Sequence, residues 1–215
     1  MKALLRKEFT LSLFPLPYCF WLLAGLLLIP NYPYFVTFFY ATLGVMFLFQ
    51  YNRENRDLNY MMTLPITKGQ MVKARVVQTA AIELGMLVAC LPFMVVRGLY
   101  SFLNNQVGFE ANLALLGLGA AQLGIFNLIF LPGFYRDGHS IGLPFLFGSL
   151  AQAVYMLAME ILLRIVPYFA RWCDRMDLAA QLHQLPVLAV GLAVYALLTL
   201  WALRISIRRF VCIDL

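Results

Sequence analysis

The sequence predicts an all-α polytopic membrane protein with six transmembrane helices, a short interfacial helix before the first and a charged segment between the second and third. Three observations carry this. Of 215 residues, 63% are hydrophobic and only 12% charged, about half the roughly 25% charge of an average soluble domain. The mean hydropathy is +0.81. The apolar residues fall into six runs of about 20, the length a helix needs to cross a bilayer. One domain of this size accommodates all six.

Residues 1–11, MKALLRKEFTL, are basic and amphipathic. Leu4, Leu5, Phe9 and Leu11 can face lipid while Lys2, Arg6, Lys7 and Glu8 face water, as in a helix lying in the interface. A secretory signal is the rival reading. Against it, no A-x-A site follows, and Leu16-Pro17-Tyr18 before Cys19 makes a poor lipoprotein cleavage box. The first span is expected over residues 12–30, with Pro15 and Pro17 in the first turn, where helices tolerate proline. A turn at Asn31-Tyr32-Pro33 leads to the second span, 34–51, whose Phe and Tyr residues suit aromatic belts at the interfaces. The third span covers 76–96. A mildly polar loop, 98–110, leads to the fourth, 111–131, in which Gly117, Ala121 and the Ala120/Gly124 pair have the small-residue spacing that lets helices approach. The fifth span is 141–166 and the sixth 187–205. Between them, Phe169, Trp172, Met176 and Ala179/Ala180 recur at helical spacing opposite Arg171, Asp174, Arg175, Asp177 and Gln181. Residues 167–186 therefore read as an amphipathic helix on the outer interface, either a gate or a plain cap between spans.

Charge sets the orientation. With the amino end inside, cytoplasmic segments hold Lys2, Arg6, Lys7, the five bases of the 52–75 segment, Arg136, Arg204, Arg208 and Arg209. The outer side holds only Arg97, Arg164, Arg171 and Arg175. This positive-inside bias favours both termini in the cytoplasm. The net charge of +6 is thereby explained by loops flanking membrane spans, so no nucleic-acid role is inferred.

Three polar residues fall near mid-span: Glu83, Gln122 and Gln152. A carboxylate at that depth is costly unless neutral, paired or wetted. If the three faces converge they form a polar patch, either a substrate pathway or an interhelical hydrogen-bond cluster. Glu160 and Arg164, four apart on one face near the outer end, are expected to form a local ion pair. The cysteines Cys19, Cys90, Cys173 and Cys212 are scattered and His139 and His183 are far apart, so neither a disulfide framework nor a metal site is indicated. No phosphate loop, HExxH or GxSxG motif occurs. The chain is thus not expected to be an enzyme or to bind a cofactor itself, and energy for transport must come from an ion gradient or a partner.

The segment 52–75, NRENRDLNYMMTLPITKGQMVKAR, is the longest polar interruption. Its first part, 53–62, can form one helix with Arg53, Glu54, Arg56 and Asp57 on a charged side and Leu58, Tyr60, Met61 and Met62 on an apolar docking side. Leu64-Pro65 breaks it. Thr67-Lys68-Gly69-Gln70 has the form of a capping box opening a new helix. A plain solvated loop is the simpler alternative.

The amino-terminal LLRKEF, followed by two spans and a charged segment ending LPITKGQMVKAR, resembles the short six-span permeases of the type-2 ABC exporters. Leu64, Pro65, Thr67, Lys68 and Lys73 fill that family's pattern; the motif covers residues 1–75 and the topology the whole chain. The resemblance implies a permease subunit for amphipathic or hydrophobic cargo (peptide, toxin, lipid or drug). It implies a second permease subunit, identical or not, and separate cytoplasmic ATPase subunits that hold ATP and Mg. It makes 1–11 an elbow helix, 53–62 the coupling helix and 167–186 an outer gate, in a plasma membrane such as the bacterial inner membrane. Two other classes are consistent with the residues: a non-transporting scaffold or sensor that docks a partner through the same loop, and an ion-coupled carrier using Glu83.

Overall fold

The computed structural model describes Leu4, Arg6, Lys7, residues 16–99, Asn105, and residues 108–174 and 178–212. Among these every regular element is helical. In chain order they are α1 (Leu16–Cys19), which runs into a 3-10 segment (Phe20–Leu28), then α2 (Phe35–Glu54), α3 (Asp57–Met62), α4 (Lys68–Leu99), α5 (Leu113–Phe134), α6 (Gly142–Ile165), α7 (Pro167–Cys173) and α8 (Leu178–Val211).

Five helices, α2, α4, α5, α6 and α8, are long and apolar enough to cross a membrane. The first expected span differs. Its start, 12–15, lies outside the described residues, and the rest is mostly 3-10 helix. At a rise of about 2.0 Å per residue instead of 1.5 Å, the nine residues Phe20–Leu28 cover about 18 Å rather than about 14 Å. The segment lies on α4. The Trp21 indole N–H donates to the Ile82 carbonyl at 2.9 Å, and its ring fills the space over Gly85, where a Cβ would sit 2.1 Å away.

α4 begins where the capping box predicts. Thr67 Oγ1 accepts from the Gln70 N–H at 3.3 Å, and Gln70 Oε1 accepts from the Thr67 N–H at 3.2 Å, satisfying two of the donors a helix start leaves open. Its 32 residues span about 48 Å, so it projects well beyond a hydrocarbon layer about 30 Å thick.

α5 is the central post: 67% of its apolar window is buried, against 11% for α6. The small-residue stripe explains how α8 reaches it. A Cβ at Gly191 would lie 2.0 Å from the Gly117 carbonyl oxygen, and one at Gly117 would lie 2.6 Å from that of Val187. About two turns further along α5, Gly124 meets the Cα of Tyr195. Close backbone approach of this kind is what small residues permit in lipid, where burial of apolar area gives no drive.

Two element boundaries differ from expectation, and one set of side chains packs inward. The outer amphipathic helix ends at Cys173, and the chain from Leu178 already belongs to α8, which runs unbroken through Pro186. The Trp172, Met176, Ala179 and Ala180 side chains lie outside those described. A polar tie fixes this end: the buried Gln184 Oε1 accepts from the Ala114 N–H at 3.2 Å, an otherwise open donor at the start of α5. The expected helix 53–62 is broken at Asn55–Arg56, where Arg56 takes a left-handed φ of 51°. Part of the aromatic content of the second span, finally, is core. Phe35, Phe38 and Phe49 are fully or nearly fully buried, and Phe49 packs edge-on to Phe130 and Phe134 at 5.0 and 4.7 Å.

The core divides into two apolar clusters, one around Phe35, Leu115 and Phe109, the other around Phe49, Phe130 and Phe210. Buried Thr42, Glu83 and Thr199 fall along their helices where one cluster gives way to the other.

Candidate functional site

The charged end of the bundle is built around Asp57. This residue opens α3, yet it is only 8% exposed. Its carboxylate pairs with Arg75 on α4 and with Lys7. Arg75 is itself buried and lies 5.9 Å from the centre of the Phe49 ring, a cation–π contact. Met61 is also buried, beneath α3. Among the residues expected to form the docking surface, Asp57 and Met61 therefore face inward. Ion pairing and apolar burial claimed them. Arg53, Glu54, Arg56 and Tyr60 are exposed, and Leu58 and Met62 are half-buried.

Neighbouring connections close on α3. Arg53 Nη1 donates to the His139 carbonyl at 3.3 Å. A Cβ at Gly138, whose φ of +74° favours glycine, would touch both Leu58 and Phe210. That turn is held by Asp137, whose Oδ1 accepts from the N–H groups of Ser140 at 2.9 Å and His139 at 3.0 Å. Burial pushes the Asp137 carboxyl up, but these donors outweigh it and hold it below the ordinary range. Of the expected interfacial helix 1–11, only Leu4, Arg6 and Lys7 are described. Leu4 packs in the core cluster around Phe49 rather than facing lipid.

Glu83, Gln122 and Gln152 are all buried, but they do not form one patch. Gln122 and Gln152 line a single cavity of about 390 Å³ between α2, α5 and α6, together with Val36, Phe39 and Ser149. Thr42 Oγ1 donates to Gln152 Oε1 at 3.1 Å, and Gln122 Nε2 donates to the Phe35 carbonyl at 3.4 Å. Gln122 Oε1, Gln152 Nε2 and Ser149 Oγ have no hydrogen-bond partner among the described residues. Glu83, on α4, meets another face of α5. Its Oε2 accepts from Asn127 Nδ2 at 2.7 Å and from the Tyr195 hydroxyl at 2.8 Å, and Asn127 Nδ2 also reaches Thr199 at 3.2 Å. Asn127 is five residues beyond Gln122, about 140° around the helix, which separates the two groups.

Asn127, Tyr195 and Thr199 were not singled out from sequence. Spacing could have flagged Tyr195 and Thr199, four apart on one face of the last span, and Asn127 as an amide inside an apolar run. Nothing local pointed to Glu83 as the shared acceptor of Asn127 and Tyr195.

Glu160 keeps an electrostatic interaction with Arg164 and gains a second contact, with the Phe109 backbone. The carboxylate is turned onto Gly108, where a Cβ would sit 2.5 Å from Oε1. This end of the bundle is also held by Arg97, which pairs with Glu110 at 3.7 Å and lies over the Tyr34 ring. The Glu110 N–H donates to Asp174 at 2.7 Å, and Asn112 Nδ2 donates to the Cys173 carbonyl at 2.7 Å. Among the described residues, no three His, Cys, Asp or Glu side chains gather as a metal ion would need.

Compared with models of protein families, residues 3–210 match that of the ABC-2 family transporter proteins. The chain belongs to this family. It is a multi-pass ABC permease subunit, and the family implies a partner ABC ATPase subunit. The membrane component of such a transporter is generally not itself catalytic. The comparison with curated proteins and that with solved structures each return no match. In this permease subunit the α2 end, α3 and the Asp137–Ser140 turn gather exposed charge at one end of the bundle. The α2–α5–α6 cavity is the apolar chamber within it, with unsatisfied amides in its wall.

Proposed function

We propose that this permease subunit serves an exporter in which separate cytoplasmic ATPase subunits bind and hydrolyse ATP with Mg and drive the membrane helices through α3. The observation that carries this reading is the Asp57–Arg75 pair. It ties a short helix with an exposed charged rim, Arg53, Glu54, Arg56 and Tyr60, to the start of a helix that crosses the membrane. A push on α3 is then delivered to α4 at Arg75, eight residues before Glu83, about 12 Å along the helix axis. ATP binds one conformation better than another and shifts the population between inward- and outward-facing states. The positive-inside distribution favours cytoplasmic termini in a plasma membrane.

The cargo is amphipathic or hydrophobic. Support comes from the α2–α5–α6 cavity, whose apolar wall carries Gln122 and Gln152. A second permease subunit, identical or not, completes the pore. The exposed apolar face of α6, with Leu143, Phe147, Leu150 and Val154, is available to it or to lipid. Residues 167–173, with the start of α8, form the outer cap of this pathway.

The test is reconstitution of the permease with its ATPase in proteoliposomes. Reversing Arg53, Glu54 and Arg56 together is expected to abolish ATP-driven transport and weaken co-purification of the ATPase. Unchanged transport and retention would refute docking at this rim. A second reading, ion-coupled carriage through Glu83, is favoured by one observation, the buried Glu83 Oε1 without a hydrogen-bond partner among the described residues. It predicts transport that a protonophore stops and ATP depletion does not.

A further inference from the structure

A second cavity, of about 480 Å³, lies between α4 and α8, within the roughly 300–1,000 Å³ of small-molecule sites. Its wall is made by Val77 and Ala80 on one side and Ala196, Leu200 and Leu203 on the other. Two polar residues also border it, Tyr195 and Thr199, but their hydroxyls are engaged elsewhere. Tyr195 donates to Glu83, and Thr199 accepts from Asn127. The surface left to the groove is apolar. Val77 and Leu200 are 47% and 56% exposed, so in a membrane the groove opens sideways to the acyl chains of one leaflet.

Lys73 is the one charged residue in the lining. It is exposed and makes no hydrogen bond or ion pair among the described residues. Val77 and Ala80 follow it by one and two turns, so the apolar wall extends about 10 Å from the ammonium along α4. The register of α8 adds a second cation. The start of α4 meets the end of α8, since a Cβ at Gly69 would lie 3.6 Å from Ile207. Arg204 lies between Leu203 and Ile207 and four residues after Leu200, on the groove side of α8. It too is exposed and without a partner among the described residues. Among the described residues, no carboxylate lines the groove.

Two unneutralised cations at the mouth of an apolar, laterally open groove match an anion attached to an acyl chain. Basic positions between transmembrane helices attract anionic head groups in this way, and the lysine stem can lie on apolar surface while its charge stays at the interface. We infer that the α4–α8 groove is a binding site for an anionic phospholipid, its phosphate held between Lys73 and Arg204 and one acyl chain against Val77, Ala80, Ala196 and Leu200. The site stands apart from the Gln122–Gln152 cavity and does not depend on the direction of transport.

The test is native mass spectrometry of the full chain released from detergent and titrated with phosphatidylglycerol or phosphatidylcholine of the same chains. The wild type is expected to bind one phosphatidylglycerol in preference to phosphatidylcholine. Lys73→Gln with Arg204→Gln should weaken phosphatidylglycerol roughly 25-fold, about fivefold or 1 kcal/mol per charge, and weaken phosphatidylcholine, whose choline offsets the phosphate, far less. Ala80→Leu with Ala196→Leu, which fills the groove, should weaken both lipids. Both cations are exposed, so the charge variants test the site even if the filled groove disturbs folding. Equal binding of the two lipids by the wild type overturns the proposal. So does phosphatidylglycerol affinity that survives the charge variants, or a well-folded filled variant that binds as the wild type does. Displacement of phosphatidylglycerol by inorganic phosphate would make this a free-anion site, and equal displacement by oleate a carboxylate site. Either result also overturns the assignment.

Discussion

The Asp57–Arg75 pair is the most exacting element of the proposed coupling, and a double-mutant cycle measures it. Both side chains are about nine-tenths buried or more. Removing one partner of a buried pair costs about 3–5 kcal/mol, because the other charge is left uncompensated. Lys7 also pairs with Asp57, so Arg75→Met sits at the low end, about 3 kcal/mol. Loss of the contact with the Phe49 ring adds about 1 kcal/mol. Asp57→Asn leaves Arg75 without its buried carboxylate and costs about 3 kcal/mol by the same reasoning. Independent sites would then lose about 7 kcal/mol together. With both charges gone only the half-buried Lys7 has lost its carboxylate, and the double variant should lose only about 4 kcal/mol, a coupling of about 3 kcal/mol. The assay is unfolding of the purified chain from dodecyl maltoside by added sodium dodecyl sulfate, followed by tryptophan fluorescence. Each variant, paired with its ATPase, is also assayed for cargo moved per ATP. The double variant should recover part of its stability yet stay poorly coupled. An additive loss near 7 kcal/mol would refute the pair as a unit. Normal coupling in a folded double variant would refute its role in transmission.

Other elements predict equally specific outcomes. Gly191→Ala places a methyl 2.0 Å from the Gly117 carbonyl oxygen and should destabilise by about 3 kcal/mol or more, read in the same detergent titration; a neutral result would mean that α5 and α8 are not in contact there. Glu83→Gln keeps an acceptor for Asn127 and Tyr195 and should fold normally, whereas Glu83→Leu strands both donors at about 1–3 kcal/mol each. ATP-driven transport that survives Glu83→Gln makes the residue a tie between α4, α5 and α8, and transport lost in that folded variant makes its carboxylate functional. Burial pushes the Asp174 carboxyl above the ordinary range; the Glu110 N–H opposes this and the Glu110 carboxylate adds to it. Its folded-state pKa thus exceeds its unfolded one, so its contribution to stability is full when it is protonated and is lost as pH rises through the folded pKa. Asp174→Asn, which still accepts the Glu110 N–H, should raise the melting temperature at neutral pH, and the gain should shrink as pH falls toward the carboxylate range. A gain that does not change with pH would refute this assignment.

How much of the site was legible varied with the range of the interactions involved. The capping box at Thr67–Gln70 was readable because both hydrogen bonds join residues three apart. The small-residue stripe around Gly117 was readable as packing, though its partner Gly191 was not. The break at Arg56 was hidden. Nothing local forces a left-handed arginine; it follows when Asp57 turns inward to charges at positions 7 and 75. The Glu160–Arg164 interaction followed from helical spacing, but the turn of the carboxylate onto the loop at Gly108 did not. Gln122, Gln152 and Glu83 share a depth, but depth along a helix says nothing of which neighbour each face meets.

The sequence by itself determined the class: a helical membrane protein with long apolar spans, a charged interruption after the second and a capped start to the third. Those properties rest on composition and on contacts within one or two turns. Only the tertiary structure decided which polar groups meet. It withdrew Asp57 from the expected docking surface and made it a tie to Arg75. It sent Gln122 and Gln152 into one cavity and Glu83 to Asn127 and Tyr195. It carried α8 unbroken through Pro186. The physical reason is the same in each case. A buried charge or amide takes its partner wherever the chain brings one within reach, and in a bundle those partners lie on other helices, tens of residues away.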